Sequence, residues 1–168
     1  MLANLINYPY GGARFTEFTL SKMRDFVQSY QHRAEIVRAA RMMVQDCPPK
    51  DYYCEAEKIF QWVKGNIRYT RDPQNAEWVQ APDVTLREGF ADCDDFSTLL
   101  GALWGAIGLP SGFEAVMADA AHPGEYSHVY GIVKTPRGWR AADPTVPESE
   151  FGWRPTRGIQ GRKIVLNQ

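Results

Sequence analysis

Residues 89–110 read GFADCDDFSTLLGALWGAIGLP, and this stretch decides the fold. Beyond the cysteine and its three aspartates, large apolar residues follow one another so closely that a helix here would keep little polar surface: they are Phe96, Leu99, Leu100, Leu103, Trp104 and Ile107. A helix that is apolar on all sides must be buried. Gly108 suits a left-handed position after the last turn, and Pro110 prevents continuation. The stretch therefore predicts a central helix that the rest of the chain covers.

The residues before this helix predict helical scaffolding. After an irregular first twenty residues, apolar positions at helical spacing predict one amphipathic helix over 21–47, which Pro48 ends. Asp51 can cap a second helix, whose apolar face carries Tyr52, Ala56, Ile59, Phe60, Val63 and Ile67. Residues 71–88 are rich in turn formers and predict a long loop or short irregular elements. Long ordered loops are often functional.

The residues after the buried helix predict strands. GFEAVMAD (112–119), HVYGIVKT (128–135) and GWRAADPT (138–145) are short, rich in β-branched or aromatic residues and bounded by turn signals. TPRG, at 135–138, favours a hairpin between the last two. Helices followed by strands are typical of an α+β fold. Residues 147–168 are predicted to be a polar tail that wraps the surface.

Length and composition indicate one soluble domain. A chain of 168 residues is long enough for one domain and short for two, so we predict a single domain over 1–168, with an N-terminal segment (1–50), a core (51–146) and a tail (147–168). Its 44% hydrophobic and 23% charged residues exclude disordered classes. A net charge of -1 and the lack of a basic stripe argue against a nucleic-acid partner.

Targeting signals and cysteine spacing predict a cytoplasmic protein. The N-terminal residues contain no basic region followed by an apolar run, and no window approaches 18 apolar residues, so neither export nor membrane insertion is expected. The three cysteines, at spacings of 7 and 39 residues, fit neither a disulfide framework nor a zinc motif. Free thiols in a reducing cytoplasm are the simplest interpretation.

Cys93 is the candidate nucleophile, because it lies where the buried helix begins. Neighbouring carboxylates raise a thiol pKa, but the unsatisfied N–H groups and dipole of a helix N-terminus lower it, particularly beside an imidazolium. We therefore expect a lowered thiol pKa. Asp92, Asp94 and Asp95 have a local explanation of their own, since acids are favoured at the N-cap and in the first turn of a helix.

A histidine and an aspartate farther along the chain complete a catalytic hypothesis. Of the three histidines, His128 is the best placed, because it begins a predicted strand, whereas His122 lies in a turn-rich stretch and His32 on an ordinary helix face. Asp143 ends the next strand, and the hairpin would bring it alongside His128. A nucleophile, a base and a carboxylate that orients the base are the components of acyl transfer through a covalent intermediate.

Three segments together resemble the transglutaminase-like superfamily, a papain-like group of thiol enzymes: WVKGNIRYTRDP (62–73), residues 89–110 and HVYGIVKTPRGWRAADPT (128–145). The resemblance covers about residues 55–146. It implies a papain-like α+β core, with Cys93 as nucleophile, His128 as general base and acid, and Asp143 orienting His128. The chain departs from the common pattern at Tyr130, where the family has Trp.

The resemblance also implies a second oxyanion donor besides the Cys93 backbone N–H, from the loop before the helix. The candidates there are the Trp78 indole and the Gln80 amide. No cofactor is expected. A metal site built from Cys93, the three neighbouring aspartates and His128 is disfavoured, because hard carboxylates with one thiolate suit no common metal and further Cys or His ligands are missing.

The narrower resemblance is to compact members that tailed phages and prophages encode, which would place the protein in a host cytoplasm. The expected substrate is a peptide or protein amide, and phage structural proteins are candidate partners. Protease, amidase and transamidase chemistry share the first half-reaction and stay open. The alternative is a non-enzymatic phage morphogenesis or binding protein that keeps the fold.

Overall fold

The computed structural model describes residues 13–71 and 78–168. In these ranges the helices are α1 (Ala13–Tyr30), α2 (Ala34–Val44), α3 (Tyr52–Asn66), α4 (Pro82–Glu88) and α5 (Cys93–Ala106). The strands are β1 (Arg68–Tyr69), β2 (Phe90–Ala91), β3 (Ser111–Met117), β4 (His128–Thr135), β5 (Gly138–Ala142) and β6 (Gly161–Leu166). Helices come first and the main sheet follows, which confirms the α+β class.

Helix α5 lies at the centre of the molecule, as its apolar composition predicts. Every residue from Asp94 to Trp104 is buried. The main sheet packs against one side of α5, and helices α1 to α4 pack against the opposite side. The Trp104 indole donates to the carbonyl oxygen of Ala56 on α3 at 3.2 Å, and its ring fits against β4 because Gly131 has no side chain there. Gly108, at a φ of 83°, ends the helix in the left-handed conformation.

The main sheet has the order β5-β4-β3-β6, with every neighbouring pair antiparallel. The predicted β4–β5 hairpin is confirmed, and its turn closes where Thr135 pairs with Gly138. The tail prediction is wrong for residues 161–166, because they pair with β3 as an edge strand. Only three consecutive apolar residues mark this strand in the sequence, so its pairing depends on contacts that the tail makes elsewhere.

A buried carboxylate supplies such a contact. Glu114 on β3 is only 1% exposed; its Oε1 accepts from Arg162 Nη1 at 2.8 Å, and its Oε2 forms an ion pair with Arg154 Nη2 at 3.3 Å. Arg162 also donates to the Tyr130 hydroxyl at 2.9 Å. Burial, and then the charge of Glu114, raise the pKa of Tyr130 well above its usual range. These four residues, the Glu114 cluster, tie the C-terminal segment to the sheet.

The predicted single helix over 21–47 is two helices. Val27 is buried on α1 and Ile36 on α2, and their separation of nine positions corresponds to about two and a half helical turns. A continuous helix would therefore point these two side chains in opposite directions. The chain breaks after Tyr30, and α2 starts from an extended Arg33. Helix α1 begins within the residues predicted to be irregular, of which 1–12 lie outside the described part.

The segment predicted as a loop over 71–88 contains helix α4, and residues 72–77 of that segment lie outside the described part. Pro82 is the first residue of α4, and Gly89, at a φ of 72°, ends it. The chain then enters β2, which pairs with β1 in parallel. This small sheet carries the chain directly into Cys93.

The cysteine prediction needs a correction. Cys47 and Cys54 form a disulfide with a Cα–Cα separation of 5.8 Å, while Cys93 is free. The tight connection between α2 and α3, where Lys50 adopts a positive φ of 64°, brings the two cysteines together despite their short spacing. Because two of the three cysteines form a disulfide, the cysteines no longer indicate a reducing compartment. Over the ranges that the structure describes, no helix has the length and apolar character to cross a membrane.

Candidate active site

Cys93 is the first residue of α5, and the aspartates on either side of it build the helix start. Asp92 is the N-cap and accepts from the backbone amide of Asp95 at 3.3 Å. The Asp95 carboxylate accepts in return from the Asp92 amide at 3.3 Å, which completes a capping box. The backbone amide of Cys93 is among the helix-start N–H groups that have no acceptor within the helix. It is therefore a candidate donor to a developing oxyanion.

Asp95 also holds the segment that carries the predicted oxyanion donors. It is fully buried and accepts from the Gln80 backbone amide at 2.6 Å and from Gln80 Nε2 at 2.9 Å. One hydrogen of the Gln80 side-chain amide is thus committed to Asp95. Trp78 is half-buried two residues earlier. The roles of Trp78 and Gln80 as donors stay predictions, whereas the anchoring role of Asp95 was not predicted.

His128 and Asp143 meet as the hairpin predicts. His128 Nε2 lies 2.7 Å from Asp143 Oδ2, and the Asp143 side chain is only 1% exposed. The backbone amide and hydroxyl of Thr145 donate to Asp143 Oδ1 at 3.1 and 2.6 Å, so both carboxylate oxygens are held. Because Nε2 faces the carboxylate, Nδ1 is the nitrogen left for a second partner. His122 is instead exposed and paired with Asp119, and His32 lies exposed between α1 and α2.

The sulfur of Cys93 lies beside the start of β4. The backbone amide of Val129, the residue after His128, is close enough to lower the pKa of the thiol, and Val129 and Cys93 lie in one apolar cluster. The thiol itself donates to Asp94 Oδ1 at 3.5 Å. The structure therefore brings the nucleophile candidate to the strand end that carries His128 and, through it, Asp143.

The electrostatics of this thiol differ from the expectation. Burial, followed by the carboxylates of Asp94 and Asp92, raises the pKa of the Cys93 thiol well above its ordinary value, and the Val129 amide opposes this only in part. The prediction of a lowered pKa at the helix N-terminus is therefore wrong for the resting site. The reason is that Cys93 is packed among apolar neighbours, where a thiolate loses hydration. The same burial raises the pKa of Asp92.

Asp92, Cys93 and Asp94 place one ligand atom each within 4.8 Å of one another, the separation that a metal ion would need. The chemistry of this set fits a metal poorly. Asp92 already uses an oxygen as N-cap, and the Cys93 thiol donates to an oxygen of Asp94. A thiolate among hard carboxylates is also the mixed donor set that no common ion prefers.

Two residues near the nucleophile were missed from the sequence. Tyr69 pairs with Ala91 across the β1–β2 sheet, two residues before Cys93, and it is 44% exposed. Burial of its other side raises the pKa of Tyr69, a hydrogen bond with Arg71 lowers it, and the charge of Cys93 raises it further. Tyr69 and Arg71 therefore lie in the electrostatic surroundings of the thiol. Phe90 is exposed on the same small sheet, which gives this side of the site an aromatic surface.

A family model matches most of this chain. The model of the transglutaminase-like superfamily matches residues 39–144, which include Cys93, His128 and Asp143. This match covers well over half of the chain, and the chain belongs to the transglutaminase-like superfamily. Among curated proteins, none matches.

Solved structures share the fold at low sequence identity. A protein from Parabacteroides distasonis proposed to be a protease has a TM-score of 0.60 and 15% identity, over 74% of this chain and 26% of the other. A proposed cysteine protease from Cytophaga hutchinsonii has a TM-score of 0.57 and 18% identity, over 84% and 47%. LapG from Legionella pneumophila has a TM-score of 0.52 and 17% identity, over 79% and 76%. The chain thus spans half or less of the first two proteins.

Proposed function

We propose that the protein is a cysteine-dependent acyl-transfer enzyme that attacks amide carbonyls and forms a thioester on Cys93. One observation carries the proposal: the buried Asp143 holds Nε2 of His128, while the Cys93 sulfur lies at the amide of the next residue, Val129. This leaves Nδ1 of His128 as the nitrogen that can exchange a proton with the sulfur. Membership of the transglutaminase-like superfamily supports the same assignment.

The raised thiol pKa favours a general-base mechanism over a preformed thiolate. At rest the Cys93 thiol donates its proton in a hydrogen bond to Asp94. This proton passes from the sulfur to Nδ1 of His128 as the sulfur bonds to the substrate carbonyl carbon. Negative charge develops on the carbonyl oxygen, with the Cys93 backbone amide and a side chain of the 78–80 segment as donors. His128 then protonates the leaving amine, the carbon–nitrogen bond breaks, and the thioester remains. Asp143 fixes the tautomer of His128 and stabilises its charged form during these steps.

The second half-reaction decides between hydrolysis and transamidation. Water or a second amine attacks the thioester while His128 removes its proton; the bond from sulfur to carbon then breaks, and His128 returns the proton to the Cys93 sulfur. The outcome depends on whether the bound acyl group is shielded from water. The proposals of protease activity for the two bacterial proteins of similar fold make peptide hydrolysis the first activity to assay.

A second candidate function rests on the same high thiol pKa. A thiol that keeps its proton also suits a member of the superfamily that binds partners and turns over little. In that case the protein is a morphogenesis or binding protein, with phage structural proteins as the partners to test. Encoding by a phage and residence in a host cytoplasm stay predictions.

A substrate panel separates these candidates. The wild-type protein and the Cys93→Ala variant are incubated with peptide amides, with and without a primary amine, and the products are identified by mass spectrometry. We expect cleavage or amine incorporation in the wild type and none in the variant. Equal product formation by both proteins, or none by a folded wild type on the whole panel, would count against the enzyme proposal.

A further inference from the structure

We propose that Lys64 on α3 is a positioning residue that holds Asp143 against His128. The catalytic meaning of this inference rests on the proposed function, but the structural claim can be tested without turnover. Lys64 is half-buried near the C-terminal end of α3, and it is separated by 82 and 85 residues from the loop that it contacts. That loop, residues 143–149, begins with Asp143 itself.

The ammonium group of Lys64 makes three hydrogen bonds to this loop. It donates to the Val146 carbonyl at 3.0 Å, to the Ser149 hydroxyl at 3.1 Å and to the Ser149 carbonyl. An ammonium group has three hydrogens, so its whole donor capacity is used on the 143–149 loop. Hydrogen bonds from a charged donor are roughly twice as strong as neutral ones. One cation therefore fixes two points of the loop relative to α3.

A short chain of contacts connects this cation to the catalytic carboxylate. Ser149 is buried, and its hydroxyl donates to the main-chain carbonyl of Asp143. The Ser149 backbone amide donates to the Val146 carbonyl at 3.1 Å, which closes the loop on itself. Thr145, within the same loop, holds Asp143 Oδ1. The loop that Lys64 anchors thus fixes both the main chain and Oδ1 of Asp143.

The composition of the loop explains why an external donor is needed. It reads DPTVPES, and its two prolines, Pro144 and Pro147, have no N–H group. The loop therefore has fewer amides for satisfying its own carbonyls, and a buried carbonyl without a partner is costly. Lys64 supplies donors from a helix, which is a more rigid support than another loop. The position of Asp143 then depends on α3 as well as on the hairpin.

The test compares three lysine variants by NMR of the His128 ring. Lys64→Met removes the donors and keeps much of the apolar stem, Lys64→Arg keeps a cation, and Lys58→Met changes an exposed lysine on the same helix. The signal is the proton on His128 Nε2, which the hydrogen bond to Asp143 shifts downfield and protects from exchange. Asp143→Ala gives the reference for its loss.

We expect the downfield signal to move upfield or broaden in Lys64→Met, to persist in Lys58→Met and to be largely retained in Lys64→Arg. A folded Lys64→Met protein with the wild-type signal would overturn the inference. If Lys64→Met does not fold, Ser149→Ala replaces it, since this change removes the hydroxyl that connects Lys64 to Asp143. A wild-type signal in folded Ser149→Ala would then overturn the inference in the same way.

Steady-state kinetics supply the catalytic readout. Lys64→Met should lower kcat by roughly 10- to 100-fold, the scale that a misplacement of about 1 Å near the chemistry can cost. KM should change little, because Lys64 acts through Asp143 and its hydrogen bonds go to Val146 and Ser149. An unchanged kcat would contradict the catalytic part of the inference. If the wild-type protein shows no turnover but the His128 Nε2 proton signal still changes in Lys64→Met, the proposed function is contradicted. The positioning role of Lys64 is then still supported.

Discussion

Carboxylates lie inside this protein at two places, on β3 and at the start of α5, and the charges around them are opposite. Glu114 on β3 lies against two guanidinium groups, those of Arg154 and Arg162. The aspartates at the start of α5 are held by backbone amides and by Gln80, and they lie beside a thiol. In the Glu114 cluster the negative charge is compensated by positive charge, whereas at α5 it raises the pKa of Cys93.

The difference indicates two uses for buried charge. Paired charges in the Glu114 cluster join the tail to the sheet, so their loss should affect the free energy of unfolding. At α5 the carboxylates organise the helix start and tune the thiol, so their loss should affect reactivity, with stability affected in proportion to the hydrogen bonds removed. Three substitutions separate these expectations, and they are ordered here from the largest expected effect on stability to the smallest.

Glu114→Ala should be the most destabilising. It leaves two arginines without their carboxylate, and breaking a buried ion pair from one side costs about 3 kcal/mol or more. Because both arginines are partly exposed, we expect the low end of that range, about 3 kcal/mol, in urea unfolding. The alkylation rate of Cys93 should stay near the wild-type value in the folded protein. A loss of Cys93 reactivity with unchanged stability would show that the two groups are not separate.

Asp95→Ala should have an intermediate effect on stability. It removes one half of the capping box and both bonds to Gln80, and the loss of a helix cap costs about 1–2 kcal/mol. Activity should fall as well, because the 78–80 segment loses its attachment to α5. Urea unfolding and turnover on the best substrate of the panel check the two parts. Activity at the wild-type level would show that the 78–80 segment supplies no donor to the oxyanion.

Asp94→Asn should change stability least and thiol chemistry most clearly. The charge of Asp94 raises the pKa of Cys93, so its removal should lower that pKa and increase the thiolate fraction at every pH below it. Iodoacetamide should therefore alkylate Cys93, the free cysteine of the chain, several-fold faster near pH 8 than in the wild type. Identical rate profiles against pH would show that Asp94 does not control the thiol.

The same raised pKa has a consequence for stability at alkaline pH. The folded protein keeps the Cys93 proton to a higher pH than the unfolded chain, in which a thiol ionises near about 8.5. Stability is therefore unaffected by this group below that pH and falls as the pH rises toward the folded-state pKa. In Asp94→Asn the fall should be smaller.

Elements with strong local patterns could be predicted from the sequence. Helix α5 is apolar on every side, and the two strands of the β4–β5 hairpin are rich in β-branched or aromatic residues with a turn signal between them, so both elements follow from local sequence. The break between α1 and α2 could not be predicted from the sequence, because it depends on which side of each helix packs into the core. Strand β6 and the Cys47–Cys54 disulfide were missed for a similar reason: each depends on partners that the fold brings together.

The candidate site shows the same division. His128 and Asp143 could be paired from the sequence, because a hairpin fixes the register of two strands. The pKa of Cys93 could not, because the helix N-terminus and the carboxylates act in opposite directions and burial decides between them. Lys64 was also invisible, since it acts across 82 residues on a loop whose shape the sequence does not reveal.

The most direct test of the central claim, that His128 and Asp143 activate Cys93 as a nucleophile, is to trap its acyl intermediate. The protein is mixed with p-nitrophenyl acetate, quenched in acid after short intervals and mapped by peptide mass spectrometry. We predict an acetyl group on Cys93 that forms rapidly in the wild type, slowly in Asp143→Ala and slowest in His128→Ala. Acetylation of Cys93 at one rate in all three folded proteins, or acetylation that never involves Cys93, would contradict the account.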